Sequence, residues 1–98
     1  MMNEVEHLLV CLSEECAEIQ KAVSKALRFG LDDGYPGENT TNLQDIIKEL
    51  NDLEGVIQLL ATHISFSDFG NPVEILKKKN KIIEFMDYAR KRGKLNSS

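Results

Sequence analysis

The sequence predicts an all-α fold, an antiparallel bundle of three main helices completed by oligomerisation. Three observations point there. Apolar residues recur every three or four positions along three stretches, turn-forming residues cluster between them, and no stretch shows the apolar–polar alternation of a strand. A chain of 98 residues is one small domain, with 42% hydrophobic residues to pack a core. Small helical chains of this size often finish that core by associating.

The first helix spans about residues 3–29. Val5, Leu8, Leu9, Leu12, Ile19, Val23, Ala26 and Leu27 form its core stripe, and Gly30 stops it. Residues 31–41 are rich in Asp, Gly, Pro, Asn and Thr and form a loop. Thr41 or Asn42 caps a second helix running to about Ile64, with Leu43, Ile46, Leu50, Leu53, Ile57, Leu60 and Ile64 as its stripe. Pro72 suits the first position of a third helix that ends near Arg92, with Ile75, Ile82, Ile83, Met86 and Ala89 inward. Residues 93–98 form a frayed tail of the single domain 1–98.

Residues 1–71 carry 13 acids and 4 bases, whereas residues 72–98 carry 3 acids and 8 bases. An acidic body with a basic final segment suits a metal–polyphosphate ligand, although helix-end and solubility effects give the same asymmetry. The net charge of −4, and the lack of a basic patch interleaved with aromatics, argue against nucleic-acid binding. Cys11 and Cys16 lie about 140° apart on one helix, so they do not bridge each other. Both read as small reduced core residues. The apolar run 8–12 is too short for a signal or membrane segment, which implies a soluble, cytoplasmic protein.

Chemistry resides in two acidic pairs, Glu15-Cys16-Ala17-Glu18 and Glu49-Leu50-Asn51-Asp52. A spacing of i and i+3 stacks each pair on one helical face. Neighbouring carboxylates repel unless a cation joins them. On the second helix the acids share a face with Asp45, Val56, Leu59 and His63, and a purely solvated face would not continue into Val56 and Leu59. On the first helix Glu15 and Glu18 share a strip with His7, Cys11, Ala22, Lys25 and Phe29. Partly covered carboxylates need a partner, and Lys25 alone does not neutralise four. Lys48 falls on a polar strip facing water. Oxygen-only ligands favour Mg²⁺ or Mn²⁺ over zinc, and the Glu-x-x-His motif of di-iron bundles is absent. His7 and His63 read as packed or rim residues.

These residues resemble the MazG-like all-α nucleoside triphosphate pyrophosphatases, which carry Glu-x-x-Glu on one helix and Glu-x-x-Asp on the next. The stretch Ser24-Lys25-Ala26-Leu27-Arg28-Phe29-Gly30, with Lys79-Asn80-Lys81-Ile82-Ile83 and Tyr88-Ala89-Arg90, is similar to compact, phage-type members. The likeness covers residues 8–92. It departs from the commonest pattern in the 30 residues between Glu18 and Glu49, whose extra length falls in the loop 32–41 and bears on substrate preference.

The resemblance implies hydrolysis of a (d)NTP to the monophosphate and pyrophosphate, with Mg²⁺ (or Mn²⁺) held by Glu15, Glu18, Glu49 and Asp52. It implies a homodimer or homotetramer in the cytoplasm, the host's if the chain is viral. Glu18 or Glu49 would take the proton of the attacking water. Lys25, Lys79 and Arg90 are the candidate phosphate ligands, since a lysine within an apolar stripe either snorkels or meets a buried anion. Lys77 and Lys81 read as solvated. Phe29 reads as an ordinary core residue, with stacking on a base as the alternative. A rival from another class is a non-catalytic helical interaction or regulatory protein whose acidic pairs face water.

Overall fold

A computed structural model describes residues 1–96. Among the described residues there are three α-helices and no strand: α1 Glu4–Phe29, α2 Asn42–Leu60 and α3 Pro72–Lys91. The all-α expectation holds. No helix is long and apolar enough to cross a membrane. The chain groups into two compact units, Met1–Ser65 with α1 and α2, and Phe66–Ser98 with α3.

Local sequence sets each helix end. Asn3 and Thr41 close capping boxes with Glu6 and Gln44, in which each cap side chain accepts from the N3 amide and each N3 side chain accepts from the cap amide. Asn71 caps α3 by accepting from Val73 and Glu74, and Pro72 takes the first helical position. Gly30 ends α1 at φ 98°, donating to the Ala26 carbonyl. The regular part of α2 ends at Leu60, before Ile64, because Thr62 and His63 donate to carbonyls only three residues back and the Thr62 hydroxyl donates to Leu59 at 2.7 Å. After α3, Gly93 donates to Arg90 and Lys94 to Ala89, the paired bonds of a Schellman cap. The start of the tail expected to fray is therefore held; residues 97–98 lie outside the described part.

α1 and α2 form an antiparallel hairpin. Its contacts run from Glu4 and His63 at one end, through Lys25 and Asp45, to Gly30 and Asn42 at the loop. Apolar residues at least half-buried along the seam include Leu8, Leu12, Ile19, Ala22 and Ala26 of α1 and Ile46, Leu53, Val56, Ile57 and Leu60 of α2. Leu60 is fully buried and Ala26 nearly so. Two helices bury only one seam, so much of each expected core stripe stays open. Leu9, Cys16, Val23 and Leu27 of α1, and Leu43, Ile47 and Leu50 of α2, are exposed. Cys16 therefore departs from its expected core place. No residue of α3 is buried, and Ile75, Ile82, Ile83 and Met86 are exposed, while Ala89 is half-covered.

Candidate functional site

The seam tilts towards the acidic face of α2, so α1 partly covers the acids. Glu15, Glu49 and Asp52 are each half-buried, and one carboxylate oxygen from each lies within 4.8 Å of the other two. The grouping follows from the register. Antiparallel helices set Glu15 beside the turn that presents Glu49 and Asp52 together. Glu15 is the least satisfied: its Oε2 is buried and has no hydrogen-bond partner. Partial desolvation, then the charges of Asp52 and Glu49, hold its carboxyl above the ordinary range.

Glu18, the fourth expected ligand, is exposed and stands outside that trio. It remains on the same cleft, lining a hollow of about 160 Å³ with Lys21, Ala22, Lys25, Asp45, Lys48 and Glu49. The α1 pair is one turn long, and only its first member is drawn against α2.

Lys48 is the residue that sequence reasoning misses. Its Nζ lies 2.6 Å from Asp52 Oδ2 and 4.0 Å from Glu49 Oε1. The hydrogen bond to Asp52, then the Asp52 and Glu49 charges, raise its pKa. Its side chain is 67% exposed, so the polar strip does face water, yet the long stem brings the ammonium round to the acids. The signal was the i,i+4 spacing from Lys48 to Asp52.

Lys25 shares the hollow with Glu18 and Glu49, its Nζ 3.9 Å from Asp45 Oδ2 and 5.5 Å from the centre of the Tyr35 ring. The other two expected phosphate ligands belong to α3. Lys79 is exposed. Arg90 pairs with Asp87 on its own helix at 2.9 Å, leaving Nε buried and unpartnered. His63 accords with a rim position, its Nε2 3.5 Å from Glu4 Oε2. Phe29 is not a core residue: it is 57% exposed at the mouth of a cavity by the loop.

Compared with protein families, curated proteins and solved structures, the chain matches none.

Proposed function

We propose that the chain is a divalent-metal-dependent nucleotide pyrophosphohydrolase that cleaves a (d)NTP to the (d)NMP and pyrophosphate. The observation that carries this reading is the convergence of Glu15, Glu49 and Asp52, with Glu15 Oε2 buried and unpartnered. A buried carboxylate oxygen without a donor is costly, and three acids this close repel one another. An all-oxygen donor set of this kind fits Mg²⁺ or Mn²⁺. When bound there, the ion would neutralise phosphate oxygens and acidify a water.

The protein's own groups have separable roles. Glu15, Glu49 and Asp52 are the ligands, with Glu18 one turn along. Being exposed and outside the trio, Glu18 is better placed than Glu49 to accept the proton of the attacking water. Lys25, on the same hollow, holds a phosphate, and Lys79 and Arg90 of α3 are further candidates. The apolar stripes left open fit a homodimer or homotetramer.

The test offers a panel of canonical and modified (d)NTPs with Mg²⁺ and follows pyrophosphate. Glu49→Gln is expected to abolish release while the helical circular dichroism is retained. Unchanged turnover in that variant would refute the site.

One observation favours the rival reading of a non-catalytic interaction protein: Lys48 already supplies a cation to Asp52 and Glu49. The readings part on Lys48→Met. If Lys48 only neutralises a structural acid cluster, its loss destabilises the fold and leaves no metal dependence. If it occupies part of a metal site, its loss strengthens Mn²⁺ binding severalfold, as removal of a nearby positive charge should. A Mn²⁺ titration followed by electron paramagnetic resonance decides between them.

A further inference from the structure

The hydrolase reading leaves unexplained a cavity of about 300 Å³ formed by the end of α1, the loop 31–41 and the start of α2. It is lined by Lys25, Phe29, Asp33, Gly34, Tyr35 and Pro36, with Asn42 behind them. Two of its walls are exposed aromatics, Phe29 at 57% and Tyr35 at 61%. Asn42 is the only buried polar residue of the described chain, 1% exposed. Its Nδ2 donates to the Gly30 carbonyl at 2.8 Å, which fixes the amide's orientation, and its Oδ1 is buried with no partner. A buried amide oxygen without a donor is costly, and a ligand N–H would satisfy it.

This cavity adjoins the acid cleft. Lys25 lines both it and the hollow that holds Glu18, Lys48 and Glu49. Glu49 lies seven positions beyond Asn42 along α2, and Lys25 seven beyond Glu18 along α1, so each interval spans about 10 Å of helix. That interval leaves room for a pentose between a phosphate at the acids and a flat ring at the aromatics. The wider hollow of about 390 Å³ at the other end of the hairpin, between Met2, His7, Leu59 and His63, has no unpartnered buried group.

We infer that the cavity bounded by Phe29, Tyr35 and Asn42 takes the nucleobase of the substrate. The ring stacks on the aromatic walls, and the Asn42 Oδ1 accepts an N–H from the base edge. Lys25 is the hinge between the two halves of the ligand, exchanging its contact with the Tyr35 ring for a phosphate oxygen. The inference rests on the nucleotide reading, but base binding is measurable without turnover.

The test has two arms. In the first, each of the four 2′-deoxynucleoside monophosphates is added to the metal-free full chain, with amide resonances followed by NMR. Shifts of the Asn42 side-chain amide and the Gly34 and Tyr35 backbone amides are expected, and ribose 5-phosphate should not produce them. Shifts that are absent, or equal with ribose 5-phosphate, overturn the inference. In the second, Tyr35→Ala should raise KM for the preferred (d)NTP about tenfold, the loss of one stacked aromatic, and Tyr35→Phe should restore it. Tyr35 is exposed, so neither change threatens the fold. Unchanged KM in Tyr35→Ala overturns the base pocket and leaves the hydrolase reading standing. Base-dependent shifts in a protein that releases no pyrophosphate support the pocket and overturn the hydrolase.

Discussion

Glu15 is the residue at which electrostatics and burial conflict most sharply. Its oxygen is enclosed by the hairpin seam, two further carboxylates face it, and the ammonium of Lys48 goes to Asp52 and Glu49 instead. A carboxyl whose pKa is raised by folding adds stability below the ordinary carboxylate range and loses it as pH rises through the raised value. At neutral pH the ionised Glu15 therefore opposes the metal-free fold. Glu15→Gln is expected to raise the melting temperature of the EDTA-treated protein at neutral pH and to change it little at acid pH. The same substitution should remove the stabilisation that Mg²⁺ gives the wild type. Melting curves with and without metal test both statements, and a less stable Glu15→Gln at neutral pH would sink them. Lys48 follows the same sign in a higher window: its raised pKa keeps its contribution intact at neutral pH and loses it only in strong alkali.

At the scale of elements, the loop 31–41 connects the two halves of the site. It is tied down at both ends: the Asn42 amide donates to the Asp33 carbonyl at 2.6 Å and the Leu43 amide to that of Leu31 at 3.0 Å. Gly34 lies so close to the strand of chain returning to α2 that an added Cβ would sit 2.1 Å from the Thr40 carbonyl oxygen. Gly34→Ala must move backbone, and the typical cost of forcing atoms into a packed place is about 1–3 kcal/mol. Urea unfolding measures it; a variant as stable as the wild type would show that the loop yields. The helices were legible in the sequence because Thr41, Pro72 and Gly30 act on their immediate neighbours; the Asn3 and Asn71 caps, equally local, came from the structure. The acid pairs were legible for the same reason, their stacking being a property of one helix. Lys48 and Phe29 were not. Their places depend on which side of each helix meets the other, and the apolar stripes alone put the α1–α2 seam where Leu43, Leu50 and Leu27 would be covered. The observed seam is rotated towards Asp45, Glu49 and Asp52, which half-buries the acids and leaves those leucines outside.

For the molecule as a whole, that rotation exposes apolar surface. Leu9, Val23 and Leu27 on α1 and Leu43, Ile47 and Leu50 on α2 are all exposed; in the other unit, taken by itself, so are Ile75, Ile82, Ile83 and Phe85 of α3. Soluble monomers rarely leave contiguous apolar patches of large side chains in water. With few buried side chains, the hairpin lacks the core that a stable small domain needs. The expected outcome is self-association into a dimer or tetramer at micromolar concentration, read by sedimentation equilibrium. Leu50→Asp, which puts a charge at the centre of the open α2 stripe, should shift the protein towards the monomer and lower its helicity with it. Charge offers a competing drive, since the first 71 residues are strongly acidic and the remainder basic. Salt separates the two. Association through the leucines persists or tightens as ionic strength rises, because screening relieves repulsion between the acidic hairpins without weakening apolar burial. Pairing of acidic with basic segments weakens over the same range. A wild-type chain that dissociates in salt, and is indifferent to Leu50→Asp, would assign the oligomer to charge and leave the apolar stripe without that role.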